Sequence, residues 1–67
     1  MENVEVHPDY YKLIVDRPIE SDIDAEAIIG YAFEPANIAS MDEAMSEGGV
    51  VYDDGDNWIY VERWVIG

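Results

Sequence analysis

The side chains capable of acid–base or nucleophilic chemistry do not form a recognisable catalytic set. His7 is the only histidine, no serine lies near it and the chain has no cysteine, so no triad can be assembled around it. With 16 aspartates and glutamates, pairs of carboxylates arise by chance, and none is marked out for acid–base catalysis. We therefore predict a protein that is not an enzyme. The serines are interpreted as helix caps or surface residues: Ser21, Ser40 and Ser46.

Two further motifs are incomplete. Gly48-Gly49 follows a predicted helix, whereas a phosphate-binding glycine loop precedes one. Residues 53–57, Asp-Asp-Gly-Asp-Asn, cluster the oxygen ligands that Ca²⁺ prefers, but they lack the EF-hand spacing and predicted strands flank them. We interpret this segment as a polar hairpin turn whose charges also discourage edge pairing. The sequence predicts neither a cofactor nor a metal site.

The charge balance excludes several kinds of partner. The chain of 67 residues has 16 acidic and 3 basic side chains, which gives a formal charge of −13. Lys12, Arg17 and Arg63 cannot build a basic patch, so direct binding of nucleic acid is not expected. An anionic membrane surface would repel the protein, and no apolar run approaches the ~20 residues of a membrane span. Because no signal peptide and no cysteine are present, we expect a cytoplasmic protein.

The composition nevertheless predicts a folded chain. Acidic disordered segments are poor in aromatic and β-branched residues, whereas this chain has 8 Ile, 7 Val, 5 Tyr and 2 Trp. At this length we expect a single domain, residues 1–67, with a small core.

The N-terminal part predicts two strands. Residues 2–7 alternate, with Val4 and Val6 on one face, which is typical of a short strand. Tyr10–Val15 is rich in residues that favour strands, although Pro8 also allows a short helix to begin there.

The middle of the chain predicts two helices. The first begins after the capping residue Ser21, and Pro35 ends it. The second begins at the capping box of Ser40 and Glu43, or earlier at Pro35, and ends at Gly48-Gly49. The apolar stripes expected to face the core are Ile23, Ala27, Ile28 and Tyr31 in the first helix, and Ile38, Met41 and Met45 in the second.

The last third predicts a β-hairpin. Two strands, Val50–Asp53 and Trp58–Val65, are joined through Asp54-Gly55-Asp56, and Asp-Gly between two such runs is a strong hairpin pattern. Alternation sorts the large side chains of the second strand into two faces, one with Ile59, Val61 and Val65 and the other with Trp58, Tyr60 and Trp64.

One of these faces should pack on the helices, and the other is either covered as well or forms a partly exposed aromatic patch. The predicted fold class is α+β. A small antiparallel sheet, made of the C-terminal hairpin and one or two N-terminal strands, packs on two short helices in the order ββααββ or βααββ.

The acids are spread over both helices and the hairpin turn. Glu20/Asp24 and Asp22/Glu26 are pairs of like charge about 6 Å apart along a helix axis, which destabilises an isolated helix. Such a row of anions imitates duplex DNA, which carries about one charge per 1.7 Å of axis. A folded polyanion can therefore occupy a groove lined by Lys and Arg. Two alternatives are a charged coat that serves solubility and the acidic coat of a halophile's protein.

In size, charge, lack of cysteine and distribution of acids, the sequence resembles the small acidic inhibitors that phages and other mobile elements use against host defence. These include anti-CRISPR proteins and anti-restriction DNA mimics. The resemblance is compositional, covers the whole chain and aligns no residue with any member. It implies a non-enzymatic viral protein that acts in the host cytoplasm by occupying the DNA-binding surface of a host effector.

Two hypotheses of function follow. The first is an anti-CRISPR-type DNA mimic that occupies the target-DNA groove of a CRISPR surveillance complex or another host nuclease. The alternative is an acidic interaction module, either an accessory subunit or an antitoxin, that binds a basic partner through the aromatic strand face. Either a monomer or a homodimer is compatible with the sequence. The predicted partner-binding residues are Asp22, Glu26, Asp42, Glu43, Glu47, Asp53, Asp54, Asp56, Trp58 and Tyr60.

Overall fold

The computed structural model describes residues 3–34 and 37–67, which form an antiparallel sheet and three short helices. The four strands are neighbours in the order β1-β2-β4-β3, so the predicted α+β class is confirmed. Glu2 in the predicted first strand and Pro35 between the predicted helices lie outside the described residues. In chain order the elements are β1 (Asn3–Val6), β2 (Tyr10–Ile14), α1 (Asp22–Ala32), α2 (Met41–Ser46), β3 (Val50–Val51), β4 (Trp58–Glu62) and α3 (Arg63–Ile66).

The core lies between one face of the sheet and the helices. In the central strands Leu13 is opposite Ile59, and Tyr11 is opposite Val61. Leu13, Ile59 and Val61 are fully buried and share one apolar cluster with Ile29 of α1. Because side chains alternate along a strand, the residues between them point to the other face, which the helices do not cover.

Both predicted helix caps are confirmed. The Ser21 hydroxyl accepts a hydrogen bond from the Asp24 backbone N–H at 3.2 Å, and the Ser40 hydroxyl accepts one from Glu43 N–H at the same distance. Each bond satisfies a backbone donor that has no partner inside the helix. The predicted apolar stripe of α2 packs against the core: Ile38, Met41 and Met45.

The sequence predicts four buried residues on the apolar stripe of α1, and this prediction is wrong for three of them. Ile23 and Tyr31 are 77% and 81% exposed, and Ala27 is exposed as well. The helix has apolar residues on both sides, so the spacing of its apolar residues does not decide which side faces the sheet. The residues of α1 that are buried are Ala25, Ile28 and Ile29.

The last strand is shorter than predicted, because β4 ends at Glu62 and not at Val65. The pairing with β2 ends at Glu62 and Tyr10, the first residue of β2, and one more bond on that side runs from Arg63 N–H to the Asp9 carbonyl at 3.2 Å. The chain then continues as the short helix α3, in which Gly67 N–H donates to the Arg63 carbonyl at 2.8 Å. This helix turns Val65 into the core, where it is only 2% exposed.

The hairpin turn is longer than predicted, because β3 stops at Val51 and not at Asp53. The turn bonds instead to the segment before α1: Ile19 N–H donates to the Asp56 carbonyl at 2.7 Å, and Gly55 N–H donates to the Ile19 carbonyl at 3.2 Å. Gly55 has a φ of 88°, a conformation that favours glycine. These bonds hold the turn beside the start of α1.

Candidate functional site

Carboxylates of α1 and α2 line one depression beside Tyr52, and the charge of Asp54 in the hairpin turn acts on the same tyrosine. Tyr52 follows β3, and its hydroxyl donates a hydrogen bond to Oδ1 of Asp22 at the start of α1. Asp22, Tyr52 and Asp42 of α2 line the same shallow depression. The hairpin turn adds the acids that follow Tyr52 in the chain. We refer to Asp22, Asp42, Asp53, Asp54 and Asp56 as the anionic end.

The one basic side chain near the anionic end is already engaged, as far as residues 3–34 and 37–67 show. The Arg17 guanidinium donates two hydrogen bonds to the Asp24 carboxylate, at 2.6 and 2.7 Å. The Glu20 backbone N–H donates a third at 3.1 Å. The Arg17 hydrogen bond, with that of Glu20, lowers the pKa of Asp24 to about 2. Arg17 therefore compensates Asp24 and leaves the anionic end uncompensated.

The Arg17–Asp24 pair predicts a pH dependence of stability. Because the folded-state pKa of Asp24 lies below its ordinary value of 3.8, the pair stabilises the fold above pH 4 and loses this effect as the pH falls toward 2. We expect the difference in unfolding midpoint between the wild type and Asp24→Asn to shrink over this interval. Urea denaturation followed by circular dichroism at several pH values measures it. A difference that does not vary with pH would contradict the assignment.

Tyr52 is held in its protonated form. The hydrogen bond to Asp22, followed by burial, raises the pKa of Tyr52 to about 12, and the negative charges of Asp22 and Asp54 add to the shift. Burial on the sheet also raises the pKa of Tyr60. The Tyr52 bond therefore stabilises the fold below pH 10, and this stabilisation is lost between pH 10 and 12.

A spectrophotometric titration tests the environment of Tyr52. We expect the absorbance of tyrosinate to show a late step near pH 12 in the wild type. In Tyr52→Phe this step should disappear, while the late ionisation of Tyr60 should remain. If Tyr52→Phe removes a step near the ordinary value of 10, the carboxylate does not hold the phenol as described.

The predicted acids do not form one continuous surface. Glu43 and Glu47 line a second depression beside Trp64, separate from the depression that Asp22 and Asp42 share. Glu26 is partly buried on α1 and lines neither depression. Asp42 and Glu43 therefore line different depressions, because successive residues of a helix point in different directions.

The uncovered face of the sheet carries a row of stacked rings. The rings of His7 and Tyr10 stack with centroids 4.4 Å apart, and those of Tyr10 and Tyr60 with centroids 4.1 Å apart. The Lys12 ammonium lies 5.4 Å from the centroid of the Trp58 ring. These side chains are half-buried among themselves, and no described helix covers them. The sequence did not decide whether this face is covered. In the structure the face is a partly exposed aromatic patch.

The sequence also predicts Trp64 on this face, which is wrong. Trp64 belongs to α3, is 51% exposed, and its indole Nε1 donates a hydrogen bond to Glu62 at 3.2 Å. The cause is the end of β4, since strand alternation no longer applies once the backbone becomes helical.

Comparison with known protein families, curated proteins and solved structures finds no match. The described part of the chain contains no helix long and apolar enough to cross a membrane. Nor do these residues place three or more His, Asp or Glu side chains where they could hold a metal ion.

Sequence reasoning missed Tyr52 as a member of the site. A tyrosine at the end of a predicted strand is usually a packing residue, and its partner Asp22 lies 30 residues away in the chain. The only local indication is its position directly before a run of acids. A hydrogen bond between such distant residues arises only when the fold brings α1 against the hairpin turn.

Proposed function

We propose that this protein is a non-enzymatic inhibitor that mimics DNA. Its anionic end occupies the target-DNA groove of a CRISPR surveillance complex or of another host nuclease. The observation that carries the proposal is that Asp22 and Asp42 line one depression at Tyr52, on which the charge of Asp54 also acts, while the nearby Arg17 is bound to Asp24 and residues 3–34 and 37–67 place no basic side chain in the lining of this depression. Proteins bind duplex DNA largely by neutralising phosphates with Lys and Arg, and the same groups can neutralise carboxylates.

The placement of the remaining basic side chains supports the proposal. Lys12 lies over Trp58 on the uncovered sheet face. Arg63 donates to the His7 carbonyl at 2.9 and 3.1 Å, near the turn between β1 and β2 and away from the hairpin turn. Neither Lys12 nor Arg63 is therefore paired with an acid of the anionic end, and an uncompensated negative field speeds association with a basic groove.

A competition experiment tests the proposal. Purified CRISPR surveillance complexes and restriction nucleases are incubated with labelled target duplex, and the protein is added in increasing amounts. We expect one of these effectors to lose duplex binding at a stoichiometric ratio. The affinity of the protein for that effector should fall about tenfold between about 50 and about 300 mM salt. The proposal is wrong if the protein binds an effector while the duplex stays bound.

The uncovered aromatic face supports a second candidate, the acidic interaction module. Aromatic residues at the centre of an interface carry much of its binding energy, and Trp58 and Tyr60 are half-buried on the face that no described helix covers. In this case Trp58→Ala should weaken binding of the partner by about 30-fold, more than any acid substitution. A pull-down from the host cell isolates the partner, and isothermal titration calorimetry with this partner measures the affinity of Trp58→Ala and of the acid variants. Equal affinity of Trp58→Ala and the wild type would exclude this candidate.

A further inference from the structure

A small pocket lies between α2 and α3, outside the anionic end. Ile38, Ala44 and Val65 supply apolar lining, and the exposed members of the lining, which form its rim, include Trp64, Glu43 and Glu47. The pocket has a volume of about 200 Å³. This is below the roughly 300–1,000 Å³ of pockets that hold drug-sized ligands, and it suits a single side chain.

The Trp64 ring is held in place although it is half exposed. Its Nε1 donates to the Glu62 carboxylate at 3.2 Å, which fixes one edge of the indole. The ring lies directly on Gly49, where a Cβ atom would come within 2.5 Å of Cζ2. An exposed tryptophan with a fixed orientation presents its π face to a partner without a further cost in side-chain entropy.

The rim of the pocket is anionic and uncompensated. Glu43 and Glu47 are four residues apart, so their carboxylates lie on the same side of α2. Neither carboxylate has a hydrogen-bond or ion-pair partner among residues 3–34 and 37–67. Two unpaired like charges beside an apolar pocket exclude anions and favour a cation with an apolar stem.

We propose that this pocket binds an arginine side chain of a basic partner. The stem lies on Ile38, Ala44 and Val65, and the guanidinium stacks on Trp64 and bonds the carboxylates of Glu43 and Glu47. A planar guanidinium satisfies both requirements best, since it stacks flat on aromatic faces and forms paired, parallel hydrogen bonds with a carboxylate, whereas an ammonium group acts as a point charge without this planar geometry. The inference rests on the proposed function for the source of the arginine, which is the groove that the anionic end enters.

A second copy of the chain does not supply the arginine. Arg17 is bound by Asp24 at 2.6 and 2.7 Å. Arg63 donates to the His7 carbonyl and lies 4.9 Å from the centroid of the Tyr11 ring. Both guanidinium groups are engaged within the fold, so a foreign arginine is the ligand that the pocket fits.

Nitrogen–proton correlation NMR of the full chain tests the pocket with N-acetyl-arginine amide as the probe. We expect a saturable shift of the Trp64 indole N–H with a dissociation constant in the millimolar range, as befits one side chain, and no shift of the Trp58 indole. N-acetyl-citrulline amide has nearly the same shape without the charge, and should not bind. N-acetyl-lysine amide, with a free side-chain ammonium, should bind several-fold more weakly. Equal binding of citrulline, equal binding of lysine, or equal shifts of both indoles would overturn the proposal.

A matched pair of variants tests the carboxylates. Glu43→Gln/Glu47→Gln should weaken arginine amide binding about tenfold, because it removes both charged acceptors and keeps their shape. Glu5→Gln/Glu20→Gln changes the net charge equally at exposed positions on other elements, and should change affinity less than about twofold. If the two variants weaken binding equally, the arginine senses only the net charge and the pocket is not its site.

The same variants separate this inference from the proposed function. If the pocket binds arginine amide but the protein displaces no duplex, the proposed function fails and the pocket stands. If the Glu43→Gln/Glu47→Gln variant displaces duplex as well as the wild type does, the partner supplies no arginine here and this inference fails alone.

Discussion

Replacing Ile29 with alanine should leave most of the chain unfolded near 37 °C. Ile29 is fully buried in the cluster that joins α1 to the sheet. Truncating such a side chain costs about 2–5 kcal/mol, and the core of a domain this small rarely supplies more than about 3–5 kcal/mol. Thermal denaturation followed by circular dichroism should show a midpoint lowered by more than about 10 °C.

The control for this prediction lies on the same helix. Ile23→Ala is the same substitution at a side chain that is 77% exposed, so it should change the free energy of unfolding by no more than about 0.5 kcal/mol. Alanine also favours the helix slightly more than isoleucine does. Comparable losses in the two variants would mean that the Ile23 side of α1 is buried as well as the Ile29 side, which would contradict the structure.

Reversing two charges of the anionic end should abolish inhibition. In Asp42→Lys/Asp54→Lys, lysines would face the basic groove at two exposed positions, and contacts between like charges oppose binding by several kcal/mol. We expect the affinity for the effector to fall at least about 100-fold. Asp22 is left unchanged in this variant, because it accepts the hydrogen bond of Tyr52. Calorimetry and the duplex competition assay measure the effect.

A second charge reversal controls for net charge. Asp9→Lys/Glu34→Lys makes the same change at exposed acids that lie away from the anionic end. Asp9 is in the turn between β1 and β2, and Glu34 follows α1 at the end opposite Asp22, about 16 Å away along an 11-residue helix. We expect this variant to keep most of its inhibition. Equal loss in both variants would show that only the overall charge matters, and that the anionic end is not the contact surface.

Several elements of the fold follow from local patterns in the sequence. Ser21 and Ser40 each stand three residues before an acid at the start of a helix, and both caps form as predicted. Asp-Gly between two β-rich runs predicts a hairpin, and β3 and β4 pair in this way. These features depend on neighbouring residues, so a single sequence is sufficient to predict them.

Other features depend on contacts between distant residues, and the sequence patterns misplace them. Ile23 and Tyr31 have helical spacing, but α1 packs through its other side. Trp64 alternates with Trp58 and Tyr60 along the chain, yet β4 ends two residues before it, where its pairing with β2 ends at Tyr10. A periodic pattern shows that a buried face exists, and only the neighbouring elements decide which face it is.

The sequence by itself determined the composition of the chain: a charge of −13, acids in both predicted helices and in the hairpin turn, and enough apolar residues for an α+β domain. Only the tertiary structure decided how these acids are grouped. Asp22 and Asp42 meet at Tyr52, whereas Glu43 and Glu47 meet Trp64 across a pocket. The physical reason is that each grouping requires elements far apart in the chain to dock, and docking follows from the burial of the shared core, in which the charged residues take no part.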